Sequence, residues 1–320
     1  MAEPVIGPGD DTASDSAPQA TRCGFVALIG APNAGKSTLI NALVGTKVSI
    51  VTPKVQTTRA LIRGIAMVDT MAGAAQLILV DTPGIFAPRR RLDRAMVGTA
   101  WGSTQDADLV ALLIDAKKGL TEDEEAILRQ LAKIRAPKVL VLNKVDLIGK
   151  PALLALTQAL NERALFAATF MISALSGDGV GDLKAWFAAH VPPGPWLYPE
   201  DQISDAPMRQ LAAEITREKL FLRLHQELPY QSTVETEVWK ELRDGSVRIE
   251  QTIYVERESQ RKIVLGKAGQ AIKAIGAAAR AEIAKAAEQP VHLFLHVKVR
   301  EGWGDDPERY REMGLEFPKE

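Results

Sequence analysis

Gly30-Ala31-Pro32-Asn33-Ala34-Gly35-Lys36-Ser37-Thr38 decides the fold, because a glycine-bounded loop ending in Lys-Ser belongs between a buried strand and a helix. The apolar run Phe25 to Gly30 precedes it and the periodic stretch Ser37 to Val44 follows, so the required context is present. In such a loop, backbone N–H groups converge on phosphate oxygens, helped by the positive end of the helix dipole. Lys36 reaches the terminal phosphates, and Ser37 offers a hydroxyl to Mg²⁺. Asn33, Ala34, Gly35 and Thr38 belong to the same expected cradle. A turn that merely joins strand to helix is the competing reading, and the placement of Lys and Ser argues against it.

Working outward, apolar runs recur at Leu77 to Val80, Val110 to Ile114, Val139 to Leu142 and Thr169 to Ile172, with helical patterns between most of them. This alternation predicts an α/β domain whose mostly parallel sheet is covered on both faces. Ala60 to Val68 is close enough to the Leu77 strand to form an antiparallel hairpin with it. Asp81-Thr82-Pro83-Gly84 follows that strand, which puts a carboxylate at its C-terminal end beside the phosphate loop. Asp81 is expected to hold Mg²⁺ through water, and the Gly84 N–H to meet the γ-phosphate. Asn143-Lys144-Val145-Asp146 selects guanine, since the Asp146 carboxylate can accept from the ring N–H and the exocyclic amine together. Ser173-Ala174-Leu175 would close the base pocket, with the Ala174 N–H aimed at the guanine carbonyl oxygen.

The stretch Ser49 to Arg59 is polar and Pro-interrupted, and it resembles the first switch of a GTPase. Thr58 is the expected Mg²⁺ ligand of the GTP state, with Thr57 its competitor. Lys36, Thr58 and Gly84 thus form the expected catalytic set. Ile85 is apolar where Ras-like GTPases carry a water-orienting glutamine, so intrinsic hydrolysis should be slow. Resemblance to GTPases with the same phosphate loop, in which an asparagine here helps hold K⁺, implies a remedy at Asn33; the alternative is a loop-stabilising hydrogen bond from its side chain.

At 320 residues the chain exceeds one ordinary core, and two domains are expected. The single cysteine, Cys23, excludes an internal disulfide and a multi-cysteine metal site, in keeping with a reducing cytoplasm. A net charge of −1 means that any basic face must be local. No apolar run approaches the roughly 20 residues of a membrane span. Residues 1–22 read as a disordered tail, 23–191 as the GTPase domain and 192–206 as a Pro-rich linker. Residues 207–300 read as a second domain and 301–320 as a C-terminal tail.

In that second domain a helix from Pro207 to Leu228 precedes the strand Thr233 to Trp239, with Val234, Thr236 and Val238 on one face. After the Asp244-Gly245 turn, Val247, Ile249, Ile253 and Val255 share a face. Two helical segments surround Gly266 to Ala287, and Val291, Leu293, Leu295, Val297 and Val299 alternate in a last strand. Gly266-Lys267-Ala268-Gly269 lies between the two helices of this α-β-β-α-α-β unit, the arrangement of a type II KH domain. From Glu256 to Lys285 seven Lys and Arg face three Glu, and that surplus around GxxG favours RNA. Lys262, Gly266, Lys267, Ala268, Gly269, Lys273 and Arg280 are the expected RNA-binding residues.

With both halves read, the chain resembles the Era family of bacterial ribosome-assembly GTPases from Cys23 onward. The resemblance rests on the phosphate loop, Gln56-Thr57-Thr58-Arg59, DTPG, NKVD, Arg217-Glu218-Lys219-Leu220, Glu227-Leu228-Pro229-Tyr230, Val255-Glu256-Arg257-Glu258 and Pro290-Val291-His292-Leu293. The long N-terminal tail depart from the pattern, as do Leu265 before the GxxG loop and Ala268 within it. The resemblance implies GTP and GDP with Mg²⁺, binding to the 3′ end of small-subunit (16S) ribosomal RNA, and small ribosomal subunit assembly. It also implies a cytoplasmic protein with peripheral association at the inner face of the cell membrane, and no obligate oligomer is indicated. The alternative is an RNA-binding adaptor or regulator coupled to GTP without a direct role in ribosome maturation. A passive adaptor should lack Lys36, Ser37 or Asp81, and a membrane or RNA-modification regulator should lack the KH unit.

Overall fold

A computed structural model of the chain describes residues 21–71, 73–224, 228–302 and 306–318. Strands β1 (Arg22–Ile29), β2 (Ile62–Thr70), β3 (Gly73–Asp81), β4 (Leu109–Asp115), β5 (Lys138–Asn143) and β6 (Ala168–Ile172) form one sheet in the order β2-β3-β1-β4-β5-β6. Only β2, paired with β3, runs antiparallel. Helices α1 (Lys36–Val44), α2 (Arg91–Gly102), α3 (Glu122–Leu131), α4 (Lys150–Arg163) and α5 (Val180–His190) surround it.

Successive side chains of a strand point to opposite faces, so β1 feeds two cores at once. Val26 and Leu28 pack with Leu39, Ile40 and Leu43 of α1 and with Leu183 and Phe187 of α5. Ala27 and Ile29 pack with Ile127 and Leu131 of α3 and Leu160 of α4. Burial on both faces explains why the parallel strands read as unbroken apolar runs, and all of β4 is buried. The sheet brings the C-terminal ends of β1, β3 and β5, and the loops after them, to one edge, where open α/β sheets bind ligands.

The Pro-rich connection lies along the sheet. Gln76, fully buried in β3, accepts at Oε1 from the N–H groups of Leu197 (2.9 Å) and Tyr198 (3.0 Å). Ile65 N–H then donates to Ile203 O at 2.9 Å, and the Arg63 guanidinium meets Asp205 at 2.7 Å.

The second unit is α6 (Met208–Arg223), β7 (Ser232–Glu241), β8 (Val247–Val255), α7 (Glu258–Leu265), α8 (Gln270–Ala286) and β9 (Val291–Val299). Its sheet runs β7-β8-β9, antiparallel and then parallel. Helices α6, α7 and α8 cover one face, where Leu220, Ile253, Val255, Val264 and Ile275 form a core. Three details differ from expectation. Helix α6 ends at Arg223, Leu224 is extended, and residues 225–227 of the expected longer helix lie outside the described ones. A bulge between Thr236 and Val238 turns Val238 off the core face and sets Trp239 opposite Ile249, because an extra residue reverses the two-residue period. Within the expected C-terminal tail, α9 (Pro307–Glu312) docks fully buried Tyr310, together with Leu315, on Leu92, Ala95 and Met96 of α2. Of the expected N-terminal tail, 1–22, residues 1–20 lie outside the described ones and Arg22 already belongs to β1.

Candidate nucleotide and RNA sites

The phosphate loop gathers at the sheet edge because its glycines admit close neighbours. Gly35 has φ 101°, and a Cβ there would stand 2.2 Å from Asn143 Nδ2, so only glycine lets the NKVD strand meet this loop. Lys36 is buried and donates from Nζ to Gly30 O (3.0 Å) and Ala31 O (3.1 Å). Burial lowers its pKa to about 8, against the opposing pull of Asp81 and Glu124.

Four oxygen-bearing side chains converge on the end of β3. Asp81 Oδ2 accepts from Ser37 Oγ at 2.7 Å, Ser49 Oγ at 2.6 Å and Thr58 Oγ1 at 3.3 Å, while Ser37 Oγ and Thr58 Oγ1 stand 2.9 Å apart. Burial raises the Asp81 pKa, with the three hydroxyls and Lys36 pulling the other way. Asp81 Oδ1 is buried and accepts no hydrogen bond among the described residues. An all-oxygen set with an orphaned carboxylate oxygen fits a hard divalent cation such as Mg²⁺. Ser49, quoted above only as part of a loop, joins this set because the Asn41 amide caps the turn, donating to Ser49 O and accepting from the N–H groups of Val48 and Ser49. Thr57 turns away, to Lys54 O at 2.7 Å and Thr52 Oγ1 at 2.6 Å.

A cleft of about 320 Å³ is lined by Asn33, Gly35, Lys36, Ser37, Thr38, the first switch, Thr82, Gly84 and Lys144. Gly84 packs on the phosphate loop, with Pro32 Cα only 2.9 Å from where a Cβ would stand. Ile85 is buried in the core with Ile29 and Ile114, and its N–H donates to Gly30 O at 3.1 Å, so its side chain has no path to an attacking water. Asn33 sits at φ 64°, and its amide nitrogen donates to Pro53 O at 2.9 Å.

Asn143 joins the base-side motifs. Its Nδ2 donates to Ala34 O (2.8 Å), and its Oδ1 accepts from the N–H groups of Lys144 (2.8 Å) and Ala174 (2.9 Å). The Ala174 N–H, expected to meet the guanine carbonyl oxygen, is here directed at Asn143, because the turn at buried Ser173 folds back on β5. Lys144 Nζ reaches Asp115 (2.6 Å) and Asn33 O (2.7 Å). Asp146 is exposed in the short turn Val145–Leu147 and lies outside the phosphate cleft; Leu175 is also exposed.

In the second unit Gly266 has φ 72°, and a Cβ there would press to 2.6 Å from Ala271 Cβ. Ala268 also takes a left-handed conformation (φ 52°). Lys262, Lys267, Lys273 and Arg280 are exposed and form no ion pair among the described residues. Next to the loop, a groove of about 360 Å³ is lined by Ile272, Lys273, Gly276, Ala277, Arg280, Leu293 and Leu295. The apolar lining escaped sequence reading because Leu293 and Leu295 alternate like core residues; both are only half-buried.

A model for the 50S ribosome-binding GTPase family matches residues 25–144, and one for the KH domain matches 227–304. GTPase Era of Bradyrhizobium diazoefficiens is 70% identical over 308 residues, 96% of this chain and 99% of that one. GTPase Era of Rhizobium meliloti is 68% identical over 309 residues, 97% of each chain. A crystal structure of Era in complex with MgGDPNP and nucleotides 1506–1542 of 16S ribosomal RNA superposes with a TM-score of 0.86 at 37% identity, covering 92% of this chain and 99% of that one. A second, an Era variant from Aquifex aeolicus bound to GDP.AlF4-, has the same TM-score, identity and coverage. Agreement of this extent, across both domains and nearly the full length of each relative, means that the chain belongs to the Era family of GTPases.

Proposed function

We propose that this chain is a GTP-hydrolysing switch whose KH domain binds the 3′ end of small-subunit ribosomal RNA and assists small ribosomal subunit assembly. The observation that carries the reading is one molecule holding a phosphate cleft with a divalent-cation oxygen set and, in its second domain, a GxxG loop flanked by four cations that form no ion pair among the described residues. The related Era crystallised with MgGDPNP and a 16S ribosomal RNA segment supports it.

In this reading Lys36 neutralises the terminal phosphates and Ser37 and Thr58 are the direct Mg²⁺ ligands, with Asp81 acting through water. Mg²⁺, when bound, neutralises charge developing between the β- and γ-phosphates. The Gly84 N–H holds the γ-phosphate, and Asp146 reads guanine. Asn33 serves as a K⁺ ligand through its carbonyl oxygen, since its amide nitrogen is committed to Pro53 O. Faster hydrolysis in KCl than in NaCl at matched ionic strength, erased by Asn33→Ala, is the expected sign, and equal rates in the two salts would remove K⁺. The protein works in the cytoplasm, with peripheral association at the inner face of the membrane.

Crosslinking in cells followed by RNA sequencing tests the central proposal. Reads should concentrate at the 3′ end of small-subunit rRNA in wild type and disperse when the GxxG loop is made acidic. Reads spread over unrelated RNAs in wild type would favour a general adaptor.

A further inference from the structure

Helix α6 belongs to the second domain, yet its polar face is buried against the first switch. Arg217, 2% exposed, donates through its guanidinium to Thr57 O and, at a longer 3.5 Å, to Gln56 O. Its Nε is held by Glu214 Oε1 at 2.8 Å. One turn on, Glu218 Oε1 accepts from the Val51 N–H at 2.8 Å. Lys54 Nζ donates to Phe221 O and Leu224 O at the C-terminal end of α6. Buried Arg59 donates to Ser232 O (2.8 Å) and Tyr230 O (3.3 Å), and the Phe221 ring lies 5.6 Å from the Arg59 guanidinium carbon and 5.0 Å from that of Arg217. The first switch therefore hangs from the second domain on both sides of Thr58, whose hydroxyl faces Ser37 and Asp81.

We propose that Arg217 is a positioning residue for GTP hydrolysis: by fixing the Thr57 and Gln56 carbonyls it holds the Thr58 hydroxyl where Mg²⁺ requires it. The RNA-binding domain thereby completes the metal site of the GTPase domain. The proposal rests on the reading of Thr58 as a Mg²⁺ ligand. The Thr57 carbonyl and the Thr58 N–H share one planar peptide, so fixing the first orients the Cα that carries the hydroxyl. Mg²⁺ tolerates little departure from octahedral geometry, so a ligand on a loosened loop is lost as metal affinity. A buried guanidinium is costly to leave without acceptors, which makes the peptide's position relative to α6 strongly preferred.

The test is single-turnover GTP hydrolysis by the full chain as a function of Mg²⁺ concentration, for wild type, Arg217→Lys, Glu214→Gln and Thr58→Ala. GDP binding and the unfolding temperature are followed alongside. Arg217→Lys should raise the Mg²⁺ half-saturation about tenfold, the scale of one charge-assisted hydrogen bond, with the rate recovering at saturating Mg²⁺. Glu214→Gln keeps the buried Arg217 but loosens its grip, and should shift half-saturation the same way by less. GDP binding, which does not use Thr58, should not move in either variant. A merely structural role would lower the unfolding temperature and depress rates alike at every Mg²⁺ concentration. Should Arg217→Lys fail to fold, Glu214→Gln alone decides. Unchanged half-saturation in the folded variants, beside a clear shift in Thr58→Ala, overturns the role of Arg217. No shift in Thr58→Ala overturns the Mg²⁺ reading of Thr58 itself, and the Arg217 proposal with it.

Discussion

Replacing Lys267 and Ala268 together by Asp places two carboxylates in the GxxG loop without asking the backbone to change. Ala268 has φ 52°, a left-handed conformation that Asp tolerates better than most residues, and both positions are exposed. Four cations, Lys262, Lys267, Lys273 and Arg280, flank the loop and groove and lack ion pairs among the described residues. If each neutralises one phosphate of a single-stranded RNA, log K should fall against log salt with a slope of about −2.8. Losing Lys267 and setting two carboxylates against the same backbone leaves an effective count of about one, so the slope should relax toward about −0.7. Carried to about 0.15 M salt, the missing counterion release amounts to a loss of about fiftyfold in affinity. Fluorescence anisotropy with an oligonucleotide copying the 3′ end of small-subunit rRNA, at several KCl concentrations, measures both quantities. The basal GTPase rate without RNA should survive, since no residue of this loop lines the phosphate cleft. An unchanged affinity and slope in the folded variant would refute the assignment of this loop to RNA.

Asp146→Asn should shift base preference from guanine to xanthine, because an amide donates where the carboxylate could only accept; nucleotide competition measures it, and unchanged GTP preference would remove Asp146 from the base pocket. Lys36→Ala should abolish affinity and single-turnover hydrolysis together, whereas Ile85→Ala, at a core position only 5% exposed, should cost about 2–4 kcal/mol of stability and far less of the chemical step. An equal loss of hydrolysis in folded Ile85→Ala would count against its placement outside the chemistry. Asp81 has its pKa raised by burial, so its ionised form costs stability in the nucleotide-free protein, a cost relieved as pH falls through the raised value. Asp81→Asn should therefore unfold at a higher temperature than wild type near neutral pH, with the difference narrowing on acidification, while Mg²⁺-dependent hydrolysis is lost. A variant less stable than wild type across that pH range would show that Asp81 is not strained.

Short-range grammar made the fold class legible. The phosphate loop, DTPG and NKVD are each a strand end plus a turn, and their residue types follow from local demands: glycine for close approach, an acid or amide at a strand terminus, apolar runs for doubly covered strands. The order of elements around GxxG identified the second domain for the same reason. Local pattern failed where a single inserted residue reversed a period, as at the β7 bulge. Apolar alternation in β9 likewise could not show that Leu293 and Leu295 are only half-covered.

What the sequence by itself determined was a phosphate-loop GTPase domain joined to a KH domain and the motifs at each site. Tertiary structure alone decided how these parts touch: Ser49 on Asp81, Gln76 holding the Pro-rich connection, Tyr310 seated on α2, and Arg217 of α6 on the carbonyls before Thr58. The physical reason is distance along the chain. Arg217 and Thr57 lie 160 residues apart, and nothing in either neighbourhood marks the other, because a buried guanidinium needs only carbonyl oxygens, which every residue carries. Which carbonyls it finds depends on how the two cores pack.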